Sequence, residues 1–278
     1  PALASVVLFG LVDRARRSAA ALPVLAPDSG APTTESGART TEAAGRRQFL
    51  VGAGITGVVA FLRADVGHAG SVTSGLAEAR EDLRATRALL PRRTWQAVNE
   101  AHQWAQETCR QGVDRRSRLH WTEEVIRRCH LVAGSIDATM SRDDAYSFLE
   151  IGRLVERADM TTRVLDVEAD ILMDGLHDAL RPYTDLTWLV ALRSLGAEQM
   201  YRRATGGAVS GPDAVSFLLH DPAFPRSVEH CLIGVTRWLL ELPRQEGPMA
   251  ECAAVQRRLD DVATGDVDAA RLHRVVDD

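Results

Sequence analysis

From Gln48 onward apolar residues recur at intervals of three and four, the period of α-helices that turn one face to a core. The pattern predicts helices over 48–64, 71–90, 92–111, 117–139, 142–173, 183–204, 212–220, 226–241 and 248–261, and a short one over 3–22. Turn residues separate them at Leu90-Pro91, Gly112, Gly175, Arg181-Pro182, Gly206-Gly207, Gly211-Pro212 and Glu246-Gly247-Pro248. No stretch alternates apolar and polar residues as a half-buried strand does. The expected fold class is all-α, a multi-helix bundle. Residues 27–45 are rich in Pro, Gly, Ser, Thr and Ala and read as a linker. Two parts are expected: 1–45, an N-terminal helix with linker or a degenerate part of a first repeat, and 46–278, the helical domain.

The pattern also repeats. Phe61-Leu62, Asp65, Ser71-Val72, Leu76 and Leu83 recur as Phe217-Leu218, Asp221, Ser227-Val228, Leu232 and Leu239, at a constant offset of 156 positions (217 − 61 = 156). Each copy reads as a short helix, an Asp-initiated turn and a Ser-capped helix. A duplicated, pseudo-symmetric helical unit is the expected architecture.

One helix breaks the amphipathic rule. Ser135 to Val167 runs without an internal Pro, with Ser141 or Asp143 as candidate N-cap and Asp144 in the first turn, where the helix dipole favours an acid. At about 100° per residue two apolar stripes emerge. Ile151, Leu154, Val155, Ala158 and Leu165 form the broad one, and Leu149, Met160, Val164 and Val167 the other. Arg153 falls in the middle of the second stripe, flanked by Glu156 and Arg157. A charge in such a place must be paired or used, because desolvating it alone is costly. Two readings stay open. In one, Glu156 bridges Arg153 and a partner on another helix, fixing register. In the other, Arg153, Arg157 and Arg163 are donors for an anion or carboxylate and Glu156 orients them. Asp137, Asp144, Asp159 and Asp166 are candidates for the surrounding polar network. The sharpest form makes Glu156 a general acid or base.

This helix also carries a family resemblance. His130-Leu131-Val132-Ala133-Gly134, Thr139-Met140, Arg142, Phe148, Gly152-Arg153, Glu156-Arg157-Ala158-Asp159, Thr161, Arg163 and Leu165-Asp166-Val167 follow in order. So do Trp188, Leu192-Arg193-Ser194-Leu195-Gly196-Ala197, Tyr201 and the stretch from Phe217 to Val228. The chain thereby resembles the α-E domain, a bacterial all-helical domain named for its Glu-Arg motif, over roughly residues 57 to 242. Tyr146 stands where that family more often has Trp, and the extreme N-terminus matches less well. The resemblance implies a protein encoded beside, or fused to, an ATP-grasp amidoligase and near transglutaminase-like and proteasome-like peptidases. An accessory or interaction module in peptide-bond formation or peptide tagging is the expected role. The alternative is a stand-alone enzyme acting on a peptide or amino-acid-like substrate. The family is built from two halves, each usually with its own Glu-Arg motif. The 156-residue offset places a first copy of Glu156 at or before Pro1, so either the chain has lost that copy or its boundary cuts through it. The first residue is Pro rather than Met, so the chain is expected to be processed or a piece of something longer.

Composition narrows the chemistry. All 33 cationic residues are Arg, so no Lys serves a Schiff base or a Walker-type loop. A net charge of −5, with short basic clusters at Arg14–Arg17 and Arg115–Arg118, argues against nucleic acid and anionic membranes as partners. Cys109, Cys129, Cys231 and Cys252 form no CxxC pair and read as free thiols of a reducing cytoplasm. No Glu-x-x-His pair for a di-iron bundle occurs; the nearest is Asp174-Gly175-Leu176-His177, and no metal or cofactor is expected. His130, beside an apolar face, reads as a hydrogen-bonded core residue and is kept among the binding candidates. Arg46-Arg47 before an apolar run imitates a twin-arginine signal far from the N-terminus. The run is too short to span a membrane. Gly52, Gly54 and Gly57 imitate a dinucleotide fingerprint without its strands. No G-x-S-x-G nucleophile elbow is present.

Overall fold

The computed structural model describes residues 71–109, 115–173 and 184–263. Among them are nine α-helices, one 3-10 turn and no strand, so the protein is all-α as its periodicity requires. The order is α1 (Val72–Ala85), the 3-10 turn Arg87–Leu89, α2 (Arg92–Thr108), α3 (Arg115–Thr139), α4 (Asp144–Met173), α5 (Thr184–Ser194), α6 (Glu198–Thr205), α7 (Gly211–His220), α8 (Val228–Leu239) and α9 (Glu246–Ala263). The expected helices over 3–22 and 48–64, the linker, the paired arginines at 46–47, the glycine-rich run and Asp174–His177 lie outside the described residues.

Short polar side chains start the helices. Ser71 accepts from Ser74 N at 3.1 Å, Ser210 from Asp213 N at 3.3 Å and Ser227 from His230 N at 3.1 Å. Asp143, rather than Ser141, caps α4, its Oδ1 accepting from Tyr146 N at 3.2 Å. Each bond satisfies an amide that has no partner within its own helix. The helix expected over 183–204 is two helices. Gly196 adopts φ 65°, and Ala197 N reaches back to Leu192 O at 2.7 Å, closing α5 in a left-handed C-terminal turn that glycine adopts without strain.

α1, α2 and α3 pack in succession. Their seam holds Val72, Leu76, Ala101, Ala105, Trp121 and Val125, with Trp104 stacked on Trp121 at 5.6 Å. A second cluster around Leu83, Val98, Ile136, Tyr146 and Leu149 carries this core onto the start of α4 and to Trp238 of α8. α8 lies along α4, and α9 covers α8. Gly234 sets the closeness of the α4–α8 crossing, since a Cβ there would stand 2.7 Å from Leu154 Cδ1. The largest cluster gathers α5 to α9 around Leu165, Trp188, Leu192, Tyr201 and Leu218.

The apolar stripes of α4 are corrected by this arrangement. Leu149, Leu154, Met160 and Leu165 are buried, but Val155 and Val167 are 52% and 56% exposed. The described helices that pack on α4, chiefly α8 and α5, leave a side of it in solvent. At the offset of the sequence repeat, Ser71 and Ser227 are both buried caps, and Val72 with Leu83 match Val228 with Leu239 as buried positions. The likeness spans one helix and its cap; duplication of a whole unit stands as a proposal.

Candidate anion-binding cluster on the long helix

At about 100° per residue, Glu150, Arg157, Thr161 and Glu168 fall within about 20° of one line along α4. That line is the middle of the buried face: Glu150 is 3%, Thr161 0% and Glu168 8% exposed, alongside buried Leu154 and Leu165. The charges thus lie where an ordinary amphipathic helix carries its core residues.

Near the helix start, Arg153 is ion-paired with Glu150 one turn earlier. The Tyr146 hydroxyl hydrogen-bonds Glu150 as well and lies 3.4 Å from Asp137 Oδ1. Burial first, then the Glu150 charge and hydrogen bond, push the Tyr146 phenol up to about 12. Arg142 covers the Tyr146 ring at 3.9 Å and reaches Asp137 at 3.1 Å. One turn further on, burial, then the charges of Arg153 and Arg226, pull Arg157 down to about 10, while Cys231 and Glu150 act the other way. Arg226 arrives from the loop between α7 and α8. Thr161 Oγ1 holds that loop, at 2.7 Å from Arg226 O and 3.0 Å from Arg157 O.

The loop is itself tied down. Asp221 Oδ1 accepts from Ala223 N and Phe224 N, both at 2.8 Å. Ser227 Oγ donates to Asp221 O, and the His230 ring contacts Pro222 O at 2.8 Å. Three guanidinium groups thereby act on the buried thiol of Cys231, and two of them, Arg153 and Arg157, also feel the carboxylate of Glu150. Burial pushes that thiol up to about 11 despite the three arginines, so it lines the cluster as a protonated group rather than a nucleophile. Cations desolvated together repel one another, and a bound carboxylate or phosphate relieves that repulsion through charge-assisted, bidentate bonds.

The structure brings together only some of the residues expected at the site. Arg153 and Arg157 are in the cluster. Arg153 is paired with Glu150, three residues before it, an acid the sequence reading did not single out. Glu156 is half-buried and supports the charge of Arg163. Arg163 is exposed and paired with Asp159 at 2.8 Å, so it joins a surface pair. Asp144 is exposed in the first turn of α4, and Asp166 is half-buried on the far side of the helix. His130 is exposed on α3, which corrects the expected core position, because α3 turns Cys129 and Val132 inward on either side of it. Sequence reasoning missed Glu150, Tyr146 and Arg226. Glu150 carried a signal, since it precedes Arg153 by one turn on the face opposite exposed Phe148. Nothing local marked Arg226.

A family described as "A predicted alpha-helical domain with a conserved ER motif" matches residues 4–278. The chain belongs to the Alpha-E family. The match extends beyond 57–242 in both directions, so the N-terminal residues that resembled the family less fall within it. In this Alpha-E chain the Glu156-Arg157 step places Arg157 in the cluster and Glu156 on its flank. No curated protein and no solved structure matches the chain. Among the described residues no helix is long and apolar enough to cross a membrane. No group of three His, Cys, Asp or Glu among them is placed to hold a metal ion.

Proposed function

We propose that this Alpha-E protein is an accessory or interaction module that works with an ATP-grasp-type ligase in peptide-bond formation or peptide tagging. Its Arg153–Arg157–Arg226 cluster is the element that takes an anionic group of a partner or its product. The observation that carries the reading is the convergence of three guanidiniums from two segments on the buried face of α4. The ligase itself is what the family resemblance implies; the cluster supplies the chemistry by which an acidic group would be recognised. Glu150, committed to Arg153 and Tyr146, orients the cations and is poorly placed to shuttle protons, which favours binding over turnover.

The test is co-expression with an ATP-grasp ligase, followed by co-purification. The ligase is expected to stay bound to the wild-type chain and to be lost on Arg157→Gln, with helical circular dichroism unchanged. Arg153→Lys, which keeps charge but not the planar fork, is expected to weaken retention about tenfold. Equal retention by Arg157→Gln would show that the cluster is not the contact. No retention, with peptide turnover by the isolated chain, would replace the module by an enzyme.

A further inference from the structure

The loop that carries Arg226 also borders a cavity. Between α6, α7 and this loop is a half-open cavity of about 380 Å³, within the range that holds a small-molecule ligand. Its floor is apolar. Phe217 and Phe224 are buried, their rings tilted by 31° with centroids 4.8 Å apart, and Tyr201 braces Phe217 edge-on at 5.6 Å. Met200 closes one wall.

Two charges stand over this floor, Arg203 from α6 and Asp221 from the loop. They form no ion pair with each other or with any other described residue; Arg202 beside them takes Glu198 instead. Asp221 spends Oδ1 on the amides of residues 223 and 224, and among the described residues Oδ2 accepts no hydrogen bond. A cation and an anion that share a cavity without reaching each other leave a gap that a dipolar ligand spans.

We propose that this cavity binds a free α-amino acid with a large apolar side chain. Its carboxylate meets Arg203, its ammonium meets Asp221, and its side chain lies on Phe217 and Phe224. The site is separate from the arginine cluster and stands whether or not a ligase binds there.

Calorimetric titration of the full chain with L-phenylalanine tests it, beside three probes that each lack one feature: L-phenylalaninamide without the carboxylate, N-acetyl-L-phenylalanine without the ammonium, and glycine without the side chain. Saturable binding of L-phenylalanine is expected, with each probe at least about tenfold weaker. Arg203→Gln is expected to weaken L-phenylalanine about tenfold and leave L-phenylalaninamide unchanged. Ala204→Trp, which fills the cavity from its rim, is expected to abolish binding with the helical spectrum intact. The proposal is overturned if L-phenylalanine shows no saturable binding up to its solubility, if the amide binds as tightly, or if Arg203→Gln has no effect.

Discussion

The two ends of α4 bury an acid on the same line of the same helix and treat it in opposite ways. Glu150, near the start, is met by the guanidinium of Arg153 and the hydroxyl of Tyr146. Glu168, eighteen positions later, enters the apolar half of the bundle with a hydrogen bond from Thr187, and its Oε2 has no hydrogen-bond partner among the described residues. Burial pushes Glu168 up to about 7, well above the ordinary carboxylate range. A polar residue on a core face therefore does not define a site by itself. What converts it into one is the chemistry that the neighbouring segments bring.

The difference can be broken most directly at Glu150. Glu150→Ala leaves Arg153 in a half-buried setting without its carboxylate and is expected to cost about 3 kcal/mol, read by chemical denaturation at neutral pH. A loss below about 1 kcal/mol would mean that the pair does not organise this end of the helix. Glu168 is expected to respond with the opposite sign. Its carboxyl is protonated more readily in the folded state than in the unfolded one. It therefore favours folding at low pH, and that contribution disappears as pH rises from about 4.5 through about 7. Above pH 7 the folded state holds a buried carboxylate at a net cost. Glu168→Gln keeps an acceptor for Thr187 and should raise stability at pH 8 by on the order of 2 kcal/mol. It should also flatten the pH dependence between 5 and 7.5; an unchanged slope would refute the assignment. The smallest effect is expected from the surface pair of the same helix. Arg163→Ala removes an exposed partner of Asp159 and should change stability by less than about 0.5 kcal/mol, with no effect on ligase retention. A clear loss of retention would extend the binding face beyond the cluster.

The fold was legible wherever a local rule set it. Ser71, Ser227 and Asp143 mark helix starts because a cap acts over three residues, and the sequence shows all three. The break at Gly196 escaped because a helix-period pattern continues across it, and only the left-handed turn separates α5 from α6. In the site, Arg153 and Arg157 were legible as charges among apolar positions. Val155 and Val167 were misjudged because periodicity gives the faces of a helix but not which of them a neighbour covers. Arg226 was beyond reach: it lies 65 positions from Thr161, the residue that holds its carbonyl, and only the packing of α8 on α4 joins them. His130 shows the converse, a residue in a recognisable motif that the packing leaves in solvent.

The loop from Asp221 to Ser227 has a thermodynamic consequence. It walls the cavity with Asp221 and Phe224 and delivers Arg226 to the arginine cluster. A single short segment, pinned by Thr161 at one end and by its own Asp221 and Ser227 bonds at the other, is common to both sites. If occupancy of either site shifts that segment, it changes the free energy of binding at the other by an amount that is the same in both directions. The protein would then act as a reciprocal gauge, in which an acidic partner reports on a small apolar molecule and the small molecule reports on the partner.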